Sequence, residues 1–443
     1  MGKENLIYLT PLIYMFLIYF FWRIRRVNFD LLVAAMGVAF SIVILMTPSP
    51  PGWYLWIVPF LAIHQSRSGF GAIVLVGFFS LFFITYHLLH TSGAGIILFD
   101  YNQINISVLQ APIVQSIHYT LLIGFGFLIA IQILREGVRE NDYYKLGSRP
   151  LTLGIAGDSG VGKSTFSSSL SAIFGKHSTL LVSGDDYHNW DRSSPMWKTF
   201  THLDPKANRL FQFVKDVRSL INGLAIKSRS YDHLLGYFLP NKIRKSEDVI
   251  IVEGLHALYP KQLLVELDVR FFIEMDESLR FFLRTNRDVK ERNHTEQEVL
   301  SEMERRKYDN EKYIKPQASR ADVIFTLMPI NIELFEQYRS IKSNIKVRAC
   351  IKHGIYYSEL VKILIGVCGL QVNIESVDEN GEVVLEISGD VLSEDISLAA
   401  NILVPHMEEL FDFSVEFSEG VQGIMQVITL MEIDEALKRR RNP

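Results

Sequence analysis

Apolar residues run almost without interruption from residue 6 to residue 134; from residue 135 onward they fall into short bursts separated by polar turns. Residues 6–22, 28–47, 69–89 and 116–134 each approach the ~20 apolar residues that cross a bilayer, so each is expected to span. GWYLWIVPFLAIH (52–64) is shorter, and a run of about 10–14 residues is more often re-entrant than spanning. In the second half the period changes. LTLGIAG reads as a buried strand and KSTFSSSLSAIFG as a helix closed by Gly175. TLLVSGDDYHNWDR reads as a second apolar strand that ends in Asp185 and Asp186, and DVIIVEGLHALY (248–259) as a third. Past residue 331 the pattern predicts a strand at IKVRACIKHG and a helix at SELVKILIGVCG. A hairpin QVNIESVDENGEVVLEISGD turning at Asn-Gly, a helix from SEDISLAANILVPHMEELF and a last strand IMQVITLMEI follow.

The expected architecture is therefore an α-helical membrane domain (1–135), a linker (136–150), an α/β domain with a mainly parallel sheet flanked by helices (151–330), and a C-terminal α/β or α+β extension (331–443). At ~100–200 residues per domain the length suggests two to four structural units, which three domains and a linker satisfy.

Charge orients the membrane part. Between Leu6 and Leu134 there is no Lys, and the only charged residues are Arg23, Arg25, Arg26, Asp30, Arg67 and Asp100. The arginines at 23–26 belong on the cytoplasmic side, which puts the N-terminus outside. If 52–64 also spans, Arg67 falls inside and the last span delivers the second half to the cytoplasm. Five spans with a short third are thus expected, in an integral protein of a bacterial inner membrane. A cleaved signal peptide is the rival for residues 1–26, but Trp22 and the arginines stand where small residues would. His64, His87, His90 and Asp100 lie near span ends, where interfacial water suffices, so the region reads as an anchor touching membrane lipids. The net charge of −4 with no Lys/Arg stripe argues against nucleic acid. Cys350 and Cys368 make neither a disulfide framework nor a zinc site.

GDSGVGKS, from Gly157 through Asp158, Ser159, Gly160, Val161, Gly162 and Lys163 to Ser164, followed by Thr165, matches G-x-x-x-x-G-K-[ST] between a strand and a helix. Glycines let the backbone wrap phosphate oxygens, helix-start N–H groups point at them, and Lys163 neutralises their charge. Ser164 is the expected magnesium ligand. The loop implies ATP or GTP and leaves the acceptor open.

Asp185 and Asp186 close the next strand, at the sheet edge where ligands bind in open α/β folds. Adjacent strand residues face opposite ways, so only one of them can aim at an attacking hydroxyl to orient and deprotonate it; a turn-forming Asp pair is the alternative. Glu253 ends a third strand, positioned to hold magnesium directly or through water. Arg284, Arg287 and Arg292 fall on one broad arc of a charged helix, which could equally be a solvated face.

Together GIAGDSGVGKSTF, DDYHNWDR, THLDPKANRLFQFVKDVRSLINGLAI, YDHLLG, IVEGLHALY, RDVKERNHTEQEVLSEMERRKYDNEKYIKPQ and ADVIFTLMPI resemble the phosphoribulokinase and uridine kinase family over about residues 150–330, closer to its phosphoribulokinase branch. The resemblance implies that Asp185 is the catalytic base and that Glu253 helps bind Mg2+. It further implies that His188, Arg192, Tyr231 and His233 line a sugar-phosphate pocket, and that Arg287 and Arg292 contact phosphates. Val161 stands where light-regulated members have cysteine, Asn293 replaces a usual glycine, and Leu234–Leu235 replace a Val-Thr pair. The expected function is a membrane-anchored, ATP- and Mg2+-dependent kinase for a small sugar phosphate or polyol, ribulose 5-phosphate being the first candidate. A nucleoside or lipid-linked alcohol as acceptor, a nucleotide-gated sensor and a homo-oligomeric state stay open.

Overall fold

A computed structural model describes residues 8–23, 27–47, 50–88, 111–140, 149–232, 235–292, 295–331, 345–352, 357–378, 381–405 and 415–441. They form two compact units, Met1–Ser148 and Arg149–Pro443.

The first unit holds α1 (Leu9–Arg23), α2 (Phe29–Met46), α3 (Val58–Tyr86) and α4 (Pro112–Glu140). Among the described residues three helical stretches are long and apolar enough to cross a membrane, Phe29–Met46, Val58–Tyr86 and Pro112–Val138, the second only when counted across its break at Gly69. The α3 helix is broken at Gly69, whose φ of 72° lies in the left-handed region that a Cβ disfavours. There the chain folds back on itself. Tyr54, in the turn Pro51–Trp56 before α3, hydrogen-bonds Ser80 at 2.5 Å and packs 4.7 Å from the Phe83 ring. Tyr54 and Phe83 lie almost equally far from Gly69 along the chain. The apolar runs 52–64 and 69–89 thus meet at a glycine reversal.

His64 departs from expectation. It does not turn to interfacial water but is 2 % exposed. Its Nδ1 donates to Glu136 at 2.7 Å, Nε2 lies 3.2 Å from Gln132 Oε1, and Ser68 also donates to Glu136. A ring buried among apolar helices needs such partners, because an unsatisfied polar group there is costly. Arg67 pairs with Asp30 at 2.7 Å. His90 and Asp100 lie outside the described residues.

The second unit is built on an eight-stranded sheet ordered β2-β5-β1-β6-β7-β8-β10-β9. Its first five members, β1 (Leu151–Gly157), β2 (Thr179–Ser183), β5 (Val249–Gly254), β6 (Val269–Met275) and β7 (Val323–Pro329), are mutually parallel. The strands β8 (Ile345–Ile351), β10 (Val383–Ser388) and β9 (Gln371–Val377) extend the sheet antiparallel, so the C-terminal strands belong to the same sheet. The run LTLGIAG is buried at every position of β1, as a central parallel strand covered on both faces must be. A separate hairpin pairs β3 (Ile226–Tyr231) with β4 (Phe238–Arg244). One face of the sheet is covered by α6 (Leu210–Ile221), which turns Phe213, Val217 and Leu220 inward at helical spacing. The other carries α5 (Lys163–Phe174), with Phe166 against Phe271 and Phe325. The charged pair α7 (Glu277–Arg292) and α8 (Glu296–Asp309) follows β6, and α8 starts from a capping box between Thr295 and Glu298. Among the described residues, α9 (Tyr357–Gly366), α10 (Ser393–Leu403) and α11 (Gly420–Arg441) complete the unit.

The expected last strand IMQVITLMEI is instead the middle of α11. Gly423 through Leu430 are all buried. A helix enclosed on all sides shows no amphipathic period, so its β-branched composition read as strand. KRRR is likewise part of α11. Arg440 donates to Asp268 at 2.8 Å and to the carbonyls of Arg149 and Pro150 at 3.2 and 3.0 Å.

Within α11, burial with support from the Asp322 charge pushes the Glu432 carboxyl up to about 7. The folded value is above the unfolded one, so the protonated side chain stabilises fully below the ordinary glutamate range. That contribution, about 3 kcal/mol at most, is lost as pH rises towards and through 7. Thermal midpoints of the protein are expected to fall between pH 5 and 8, and Glu432→Gln to flatten that fall; an unchanged profile in the variant would remove Glu432 as its cause.

Candidate active site

The carboxyl ends of β1, β2 and β5 enclose a cavity of about 520 Å³. Brought to it are Ser159, Gly160, Lys163 and Ser164 from the loop after β1, Asp185 and His188 after β2, and Glu253 at the end of β5. This is the crevice position that parallel α/β sheets use for ligands. Close backbone contact makes it possible. Gly254 has φ 155°, and a Cβ there would sit 3.0 Å from the Gly184 Cα. The glycine pair lets the ends of β2 and β5 touch, so Asp185 and Glu253 share one cavity.

The loop wraps through left-handed Gly160 and Gly162, and α5 begins at Lys163. Lys163 Nζ donates to the Asp158 carbonyl at 2.7 Å, and the Asp158 carboxylate pairs with Arg280 of α7. Gly157, Gly162 and Thr165 continue the loop, while Val161 is packed beneath it at 2 % exposure. Ser167 donates to Glu253 at 2.7 Å. Burial raises the Glu253 pKa, and the Ser167 hydrogen bond and Lys163 charge oppose the rise. Ser164, Glu253 and Asp185 offer the hard oxygens that suit Mg2+. That ion needs only one or two carboxylates once waters and phosphates complete its shell.

The two adjacent aspartates divide their tasks on a 3-10 turn, Gly184–Tyr187, and not through strand alternation. Asp186 faces inward at 6 % exposure. It accepts the Tyr231 N–H at 2.7 Å and pairs with Arg244 at 2.8 Å, which ties the β3–β4 hairpin to the site. Asp185 faces the cavity, 3.5 Å from His188 Nε2. Asn208 Nδ2 donates to the carbonyls of His202 and Asp204, both at 3.0 Å. Its Oδ1 therefore accepts from His188 Nδ1 at 2.7 Å, so that nitrogen carries a proton. Arg192 and Tyr231 also line the cavity. His233 lies outside the described residues, as do the side chains of Arg287 and Arg292, although both positions fall on α7.

Several lining residues carried no sequence signal of their own. Trp197 and His202 complete an aromatic wall, with Trp197 4.9 Å from His202 and 6.1 Å from Tyr231, nearly parallel to the latter. They arrive because the chain from His188 returns to bridge at Asn208, a tertiary fact. Glu302 and Arg306 lie one helical turn apart on α8, which the Thr-x-x-Glu start could have located.

Residues 152–332 match the model of the Phosphoribulokinase / Uridine kinase family. The phosphoribulokinase of Synechocystis sp. is 33% identical over 211 residues, 48% of this chain and 62% of its own length. The chloroplastic phosphoribulokinase of Triticum aestivum is 28% identical over 240 residues, 50% and 59% respectively. The uridine kinase of Halalkalibacterium halodurans is 31% identical over 185 residues, 40% of this chain and 87% of its own. The solved phosphoribulokinase from Rhodobacter spheroides aligns with a TM-score of 0.45 at 19% identity, over 59% of this chain and 97% of that one. The chain spans about six tenths of the length of the first two phosphoribulokinases. With a uridine kinase matched over nearly its whole length and a family model matched from β1 through β7, the chain belongs to the phosphoribulokinase / uridine kinase family.

Proposed function

We propose that the protein is a membrane-anchored kinase that transfers the γ-phosphate of ATP to a hydroxyl of a small sugar phosphate or polyol, with ribulose 5-phosphate as the first acceptor to try. One observation carries the reading: Lys163 and Ser164 of the phosphate loop share a single cavity with Asp185, His188 and Glu253. A nucleotide switch needs the first pair; only a transferase needs an acceptor carboxylate beside it.

In this mechanism the loop amides and Lys163 hold the β- and γ-phosphates, and Ser164 and Glu253 would hold Mg2+. When bound, that ion would neutralise charge on the phosphates. Asp185 takes the proton of the attacking hydroxyl, and His188 Nε2, fixed by Asn208 and 3.5 Å from the Asp185 carboxylate, orients that hydroxyl beside it. Arg192 and Tyr231 bind the rest of the acceptor, and the arginines of α7, Arg287 and Arg292 among them, cover the phosphates. We read the first unit as an integral anchor of five crossings, the third and fourth joined at Gly69. Its N-terminus is outside, and the kinase unit is in the cytoplasm.

The test is acceptor-dependent ADP release by the full chain in detergent, with ribulose 5-phosphate, other pentose and polyol phosphates, and uridine. Release with a sugar phosphate supports the reading. Release with uridine alone would move the assignment to the nucleoside branch, which the uridine kinase match keeps in view. Nucleotide binding with no release for any acceptor would refute it.

A further inference from the structure

A second cavity, of about 860 Å³, is lined by α6 on one side and by residues 259–262 on the other, and it shares no residue with the active-site cavity. Its charge is one-sided. Lys215, Arg218, Lys261 and Arg320 line it, and no Asp or Glu does. Glu266, outside the lining, pairs with Arg218 at 2.9 Å. Arg320 donates to the Leu258 and Tyr259 carbonyls at 3.0 and 2.6 Å, which fix the side chain and leave its charge in place. Among the described residues Lys215 and Lys261 make no ion pair.

The surface beside the lysines is apolar. Phe211 is 84 % exposed and Leu224 60 %. Phe211, Lys215, Arg218 and Asn222 follow at helical spacing on α6, so the ring and the cations share its outer face, opposite the Phe213, Val217 and Leu220 that pack on the sheet. An occupant has to satisfy both chemistries. A free anion would pair with the lysines and leave the two apolar side chains in water; an apolar segment would cover these and leave the cations without a counter-charge. An anionic phospholipid meets both demands, because its phosphate lies at the edge of an acyl layer.

We infer that this face of the second unit binds anionic phospholipid, with Lys215, Lys261 and Arg320 at the headgroup phosphates and Phe211 and Leu224 in the interfacial apolar layer. The choice of lipid over an acidic protein segment rests on the reading of the first unit as a membrane anchor with the kinase in the cytoplasm, where the adjoining leaflet is anionic. The contact is peripheral. The α6 helix already packs its apolar face on the sheet, so it meets the headgroups with its outer stripe alone.

The test places the full chain, one copy per disc, in lipid nanodiscs of phosphatidylcholine with and without phosphatidylglycerol, and follows amide exchange across residues 210–224. Exchange is expected to slow about 5-fold for each of the two lysines when phosphatidylglycerol is present. Lys215→Glu combined with Lys261→Glu should abolish the slowing, the paired change to arginine should keep it, and Phe211→Ser should remove part of it. Inorganic phosphate or glycerol phosphate added to phosphatidylcholine discs should have no such effect. Equal slowing by either soluble anion would make this a site for free phosphates and overturn the lipid assignment. No slowing with either lipid, or slowing that survives the paired change to glutamate, would overturn it as well, the former leaving the face to an acidic protein partner. Discs holding two copies test the remaining occupant: slowing that follows copy number and not lipid would assign the face to a second chain and overturn the inference. If alkaline washing strips the chain from membranes, the anchor reading fails by itself. The lipid inference is then read from flotation of the chain with phosphatidylglycerol vesicles, which the glutamate pair should prevent. Absence of flotation would overturn it there too.

Discussion

Asp185→Asn is expected to lower acceptor-dependent ADP release by about 10³-fold while ATP affinity stays within about 3-fold, since a positioned general base contributes some 10²–10⁴ in rate. The asparagine keeps the size of the side chain and its place on the 3-10 turn. It cannot take the proton of the attacking hydroxyl. The neighbouring carboxylate is a poor substitute, because Asp186 is turned inward and held by Tyr231 and Arg244. Kinetics of ADP release beside equilibrium binding of an ATP analogue separate the outcomes. Loss of rate alone supports Asp185 as the base. Parallel loss of nucleotide binding would reassign it to the donor side.

Ending the chain after Glu419 is expected to leave no folded second unit. The deletion removes α11, where Ile424, Met425, Val427, Ile428, Leu430 and Ile433 are each at most 1 % exposed. At about 1.5–3 kcal/mol per buried side chain, their loss amounts to roughly 9–18 kcal/mol, as much as the whole 5–15 kcal/mol stability of an ordinary domain. It also removes the Gln426 side-chain donor to the Ser169 carbonyl of the phosphate-loop helix, at 3.0 Å, and the Arg440 clamp at the start of β1. Expression of the truncated chain with limited proteolysis is the measurement. A protease-resistant core covering residues 149–419 would show that α11 is dispensable.

The sequence was most legible where a local cause sufficed. The phosphate loop and the carboxylates at strand ends could be read because an apolar run followed by a polar turn is a local signal, and Asp185 and Glu253 terminate such runs. The reading failed where the cause was tertiary. α11 looked like a strand because enclosure on every side erased the helical period. His64 looked like an interfacial residue because its partners Glu136 and Gln132 are distant in sequence. The division of labour between Asp185 and Asp186 was foreseen, but for the wrong reason, since a turn and not strand alternation separates them. Trp197 and His202 needed the chain to return at Asn208, which no spacing announces.

Gly69 also bears on how such a chain is made. Because the chain reverses there, Arg67 lies beside Asp30 and Ser68 beside Glu136, so Asp30, Arg67 and Glu136 gather at one end of the helices. At the other end Tyr119 meets the Leu45 carbonyl, and the connector from Thr47 to Gly52 is free of charge. In the proposed arrangement of five crossings the internal stretches that have to pass through the hydrocarbon are TPSPPG and residues 89–110, which together carry the single charge of Asp100, while Arg67 stays on the side where synthesis left it.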